Sequence, residues 1–218
     1  MTEKFFKALI EARGLSRFGF RVHHNGNDDN PAGGITQFRS GLKAWFEING
    51  GWRKFSDVLL IGDNNDHDPI TTNFKCIKQQ AHNFFGFSPN HPREFASQGG
   101  RRIMILMLPW DKEPGNLETV CLEAARSFQN RISGKIDQFH ADVGADRWNS
   151  TCRKNEMWLR ANLAAKCERD PFVSLRNVFS QRATMELIPL IHSSFQRIED
   201  ELARFAPSVL STASSAQH

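Results

Sequence analysis

The chain lacks any apolar run long enough to cross a bilayer, about 18 residues or more, so no membrane span is expected. Its first residues place Glu3 among Lys4 and Lys7 with no apolar stretch behind them. No export signal is therefore expected, and a cytoplasmic location is. Cysteine is scarce: Cys76, Cys121, Cys152 and Cys167 stand far apart, with no C-x-x-C pair and no His-x-x-x-His beside them. That spacing argues against a sequence-local zinc site and suits reduced thiols. Cys76 and Cys121 also fall within amphipathic helix patterns and read as packing groups. The Walker pattern G-x-x-x-x-G-K-[ST] is missing, which argues against a P-loop nucleotide hydrolase. G-x-S-x-G is missing too, leaving Ser16, Ser40 and Ser56 without a triad setting. No internal repeat is present.

What the chain does have is core-building material: 39% hydrophobic residues, with 18 Phe and 5 Trp among 218 residues. This fits one domain, or one domain with a helical extension. The net charge is +4, and basic residues cluster at Arg101-Arg102, at Arg126, Arg131 and Lys135, and at Arg153-Lys154. Such a balance is compatible with a DNA or RNA partner, or with a protein partner, without requiring either. Solvated helix faces are the simpler account of any one cluster.

The order of elements reads as α/β. Phe5, Phe6, Leu9 and Ile10 recur at helical spacing, and Gly14 suits the stop. Residues 18–23 alternate as a strand, a Gly/Asn/Asp loop follows, and Thr36 can cap a second helix carrying Phe38, Leu42, Trp45 and Phe46. Val58-Leu-Leu-Ile61 and Ile103-Met-Ile-Leu-Met-Leu108 are continuous apolar runs, as expected of strands buried on both faces of a mainly parallel sheet. Helices are expected between and after them. One carries Ile70, Phe74, Ile77, Ala81 and Phe84, and the other carries Leu117, Val120, Cys121, Ala124, Ala125 and Phe128. Beyond Asn130 the pattern is helical, around Trp158–Lys166, Pro171–Phe179 and Met185–Phe205. The expected division is an α/β domain over residues 1–130, a helical extension over 131–207 and a disordered tail over 208–218.

The first apolar run ends at Gly62-Asp63-Asn64-Asn65-Asp66-His67-Asp68-Pro69. Ligands of open α/β sheets gather outside the carboxyl ends of the strands, so Asp63, Asp66 and Asp68 stand where a site is expected. Mg²⁺ is a hard ion held by oxygen, commonly through one or two carboxylates, and closely spaced acids at a strand end can present both. Asp68 before Pro69 also has a purely structural account as a helix N-cap. Glu118 opens the helix after the second run. In a parallel sheet both loops face one edge, so Glu118 and Asp111 can approach Asp63. An acid in a first helical turn also complements the helix dipole. Other residues invite attention more weakly: His23-His24 and His67 near strand ends, Gly33-Gly34 before the capped helix, and Trp148, Trp158 and Arg160 as stacking or packing groups.

Taken together, Val58 through Pro69, then Ile103 through Trp110, then Gly115-Asn-Leu-Glu118, resemble a Toprim-like family of bacterial proteins. That family is related in fold to the nuclease domain of the OLD (overcoming lysogenization defect) proteins. Asp170-Pro171, Leu187-Ile-Pro-Leu190 and Phe195-x-x-Ile198 also look like it, so the resemblance runs over roughly residues 1–205. It implies a Toprim-like sheet flanked by helices, and Mg²⁺- or Mn²⁺-dependent phosphodiester hydrolysis, in a defence or repair system. Asp63, Asp66 and Glu118 would be catalytic, with metal held by Asp63, Asp66, Asp68 and Glu118, and Arg101 and Arg102 would contact nucleic acid. Asp63 matches the first acid of the family's Asp-x-Asp; two residues on stands Asn65, with Asp66 or Asp68 as substitutes. The family's first strand, ending in a Glu-Gly, has no counterpart here. Its acid would precede Met1, and Glu3 lies on the helix itself. The absence of that acid leaves an alternative to the nuclease: a degenerate module of the same type that binds nucleic acid or protein and cleaves slowly or not at all.

Overall fold

The computed structural model describes residues 2–19, 22, 41–43, 57–67, 71–180 and 182–205. Helix α1, Thr2–Ala12, is followed by Gly14 in the left-handed region (φ 65°), as the early stop signal implies, and by a short 3₁₀ turn at Leu15–Phe18. That turn takes up the start of the strand expected at 18–23. Most of the remainder, including His23 and His24, lies outside the described residues, as do Gly33, Gly34 and most of the helix expected from Thr36.

Strand β1 spans Asp57–Asp63, helix α2 Thr72–Phe85, strand β2 Phe95–Gln98, strand β3 Arg101–Leu108 and helix α3 Leu117–Ser127. The sheet has the order β1-β3-β2. β1 pairs parallel with β3, with Asp57 opposite Arg102 and Asp63 opposite Leu108. β2 pairs antiparallel with β3. Among the described residues the sheet is therefore small and mixed, where a mainly parallel one was expected. The difference is the β2–β3 hairpin, turned by Gly99 and Gly100, both at positive φ (59° and 76°), a backbone that glycine adopts without strain.

β3 is the central strand, and residues 103–108 are completely buried. Ile103, Ile105 and Met107 pack with Leu60 against α2 through Phe74, Ile77, Ala81 and Phe85. Leu106 and Leu108 belong to the opposite core, with α1 and α3. Burial on both faces explains why this segment is apolar throughout rather than alternating. At Gly62 α2 packs directly on β1; a Cβ there would stand 2.3 Å from Ile77 Cδ1.

The chain continues through α4 (Asn130–Asp142), α5 (Thr151–Lys166), the short α6 (Leu175–Val178) and α7 (Arg182–Met185), and α8 (Gln196–Phe205). Helix α5 begins well before the expected Trp158. The long C-terminal helix expected from Met185 is interrupted: Pro189 lies between α7 and α8, and α8 starts only at Gln196. These helices share one core with the sheet. Trp158, Leu159, Leu163, Ile188, Phe195 and Leu202 pack with Phe5, Leu9, Leu106 and Leu117. Phe5 sits at the junction, with ring centroids 5.0 Å from Phe6, 5.1 Å from Phe179 and 5.5 Å from Phe195. Arg13 adds a polar tie, donating to Leu190 O and His192 O and pairing with Glu199 at 2.8 Å. No described helix is long and apolar enough to cross a membrane.

Candidate functional site

Asp63 is the last residue of β1 and Glu118 the second of α3, so the parallel β1–β3 pairing brings both to the carboxyl edge of the sheet. The Leu117 backbone N–H, at the first turn of α3, lies close enough to the Asp63 carboxyl to favour its charged form. The helix start is built by its own cap. Asn116 Oδ1 accepts from Thr119 N and Thr119 Oγ1 accepts from Asn116 N, each at 3.2 Å, closing a reciprocal capping box. Gly115, at φ 139°, fits beneath it where a Cβ would meet Thr119 Oγ1 at 2.5 Å.

The electrostatics of this pair are unusual. Burial, then the neighbouring Glu118 charge, push the Asp63 carboxyl up to about 7, outweighing the opposing effect of the nearby Leu117 N–H. Glu118 is raised as well, first by burial and then by Glu156, with Arg160 opposing. Asp63 and Glu118 are each half-buried as residues. Arg160 does not neutralise the pair outright, because it forms an i,i+4 bridge with Glu156 at 2.6 Å.

Asp66 is placed differently. Its carboxylate accepts from Ser150 Oγ at 2.5 Å and from the Cys152 backbone N–H at 3.1 Å, at the start of α5. It thus acts as a cap across the tertiary interface, and these hydrogen bonds hold its pKa below the usual value despite some desolvation. Burial followed by the charges of Asp66, Asp63 and Glu118 lifts the Cys152 thiol to about 12, so it stays protonated at neutral pH and is no thiolate nucleophile. Asp111, the other acid expected near Asp63, instead receives Arg93 Nε and Nη2 at 2.9 and 2.6 Å. Asp68 lies outside the described residues, together with Pro69; the α2 helix begins at Thr72, behind Thr71. His67 is exposed. Among the described residues no group of three or more His, Cys, Asp and Glu side chains is arranged to hold a metal ion.

Arg101 and Arg102 occupy the start of β3, opposite Asp57, and so stand at the other edge of the sheet from Asp63. Six residues of strand separate the two, roughly 20 Å. Arg102 donates to Asp57 Oδ1 at 2.6 Å and to Phe205 O at 3.3 Å, and its guanidinium lies over the Phe95 ring. It fastens the end of α8 to the sheet. Trp158 is buried, donating to Asp137 Oδ1 at 2.7 Å, with Arg126 over its ring, while Trp148 is exposed.

Two buried asparagines complete the edge, and turn composition gave no sign of their role. Asn73, on α2, donates to Asp63 O at 2.7 Å and to Asn64 O at 3.2 Å. Asn64 donates to Trp110 O and to Glu113 O. Asparagine in such a loop reads as turn-forming; only burial distinguishes a residue that ties two loops together. No protein-family model, curated protein or solved structure matches the chain.

Proposed function

We propose that the chain is a Toprim-like, divalent-metal-dependent phosphodiester hydrolase acting on DNA or RNA, with Asp63 and Glu118 at its centre. The observation that carries this reading is the convergence of two partly buried carboxyls at the carboxyl edge of a parallel strand pair. The donor set suits Mg²⁺ or Mn²⁺: two hard oxygen anions, each with its charge disfavoured by burial and by an acidic neighbour, so that a cation would relieve both. A bound ion would supply charge neutralisation at a phosphate and a more acidic water. The chain's own part is to position the two carboxyls and to release a proton as an ion binds. With its carboxyl raised to about 7, Asp63 is partly protonated at neutral pH, so binding of a cation is coupled to loss of that proton.

A second reading, a Toprim-like module that binds nucleic acid or protein without cleaving, draws support from Asp66. Its carboxylate is committed to the start of α5 and not turned to the Asp63–Glu118 pair. Incubation of the full chain with DNA and with RNA in Mg²⁺ or Mn²⁺, beside Asp63→Ala, separates the two. The hydrolase reading expects cleavage that falls about 100-fold or more in the variant. Binding with equal or absent cleavage in both proteins favours the module.

A further inference from the structure

The segment between β3 and α3, residues 109–116, has no regular strand or helix, yet it carries Leu117 and Glu118 to Asp63. One side chain from the Asp63 strand end, Asn64, reaches into it at two points. Asn64 is 1% exposed. Its Nδ2 donates to Trp110 O and, at 2.9 Å, to Glu113 O. Its backbone N–H donates to Leu108 O at 2.8 Å, continuing the β1–β3 ladder by one step. Asn65 then exchanges two backbone hydrogen bonds with Gly115, at 2.6 and 2.9 Å. The amide orientation is fixed by these partners, since a flipped carboxamide would set its oxygen against two carbonyl oxygens.

Adjacent side chains leave an extended chain on opposite sides. Asn64 can therefore reach across to the loop while Asp63, one residue earlier, faces the Leu117 N–H. We propose that Asn64 is the positioning residue of the acid pair, the strut that sets how closely Glu118 approaches Asp63 and hence how tightly the edge holds a divalent cation. This rests on the metal reading of Asp63 and Glu118. Oxygen ligands of a divalent ion must be placed to within a few tenths of an ångström. A loop released from Nδ2 carries Leu117 and Glu118 with it.

The test compares Mn²⁺ affinity, by calorimetric titration of the full chain, in wild type, Asn64→Ser and Asn64→Ala. Asn162→Ser serves as control. Asn162 is equally buried and donates to Ala125 O at 3.2 Å, on the helical side of the core, so it reports simple loss of a buried amide. The proposal expects binding at least tenfold weaker in Asn64→Ser, weaker again in Asn64→Ala, and unchanged in Asn162→Ser at a comparable fall in Tm. Serine keeps one donor and is the variant that carries the result if alanine does not fold. Wild-type affinity in Asn64→Ser, or equal weakening in Asn162→Ser, overturns the positioning role while leaving the metal reading intact. Absence of Mn²⁺ binding by wild type overturns the metal reading and the proposal with it.

Discussion

Asp63 and Asp66, three residues apart, have opposite linkage to pH because their surroundings differ. Asp63 is raised to about 7 from an ordinary 3.8, so folding favours its protonated form. Stability from that preference is complete below the ordinary value and declines as pH rises towards 7. Asp63→Asn, neutral at every pH, should accordingly be more stable than wild type at pH 8 and level with it near pH 4. The gain is expected to be about 1–3 kcal/mol, less than the full shift implies because Asp63 is only half-buried as a residue. Thermal unfolding of both proteins in chelator across that range checks it. Asp66 behaves in the reverse sense. Its lowered pKa means that stability is present above the ordinary carboxylate value and is lost as pH falls through the folded value. Asp66→Ala should cost about 0.5–1 kcal/mol at pH 7, as expected for an exposed cap, with the difference shrinking as pH falls below the ordinary carboxylate value. A denaturant titration at each pH measures it.

At the scale of elements, the start of α3 is the most exacting local structure. Gly115→Ala would combine a disfavoured φ with a Cβ 2.5 Å from Thr119 Oγ1, which also accepts from Asn155 Nδ2 on α5 at 2.8 Å. A loss of about 2 kcal/mol or more is expected in urea unfolding, against about 1 kcal/mol for Asn116→Ala, which removes only the cap. Much of this element order was legible in the chain. The run at Ile103–Leu108 announced a doubly covered strand because both faces of β3 are buried, and the convergence of Asp63 and Glu118 followed from two parallel strands sharing an edge. The β2 strand was not legible, since Phe95–Gln98 is a short half-exposed edge with too few residues to show alternation. Nor was the role of Asp66, whose partner Ser150 is 84 residues away. Local composition cannot report a cap formed across such a separation. Asn64 was hidden for a related reason, as its partners lie 46 and 49 residues on.

Over the whole molecule, the helices after residue 130 and the sheet meet in a common core centred on Phe5. Phe5→Ala should cost about 3–5 kcal/mol, and because the core is continuous the loss should appear as one shifted transition. Far-UV and near-UV unfolding curves that separate into two steps would show the helical part to be stabilised independently. A second tie, Arg93 with Asp111 and Glu201, joins the loop after β3 to α8. The loop that leads to Glu118 is thus tied both to the sheet and to the C-terminal helices. The most direct measurement is Mn²⁺ binding by calorimetry to wild type, Asp63→Asn and Glu118→Gln at pH 8 and pH 5.5. The prediction is a site present in wild type at pH 8, lost in both variants, and weakened in wild type at pH 5.5 by about tenfold or more, because Asp63 must give up its proton to bind. No binding by wild type at pH 8, or binding that survives both substitutions unchanged, would contradict it.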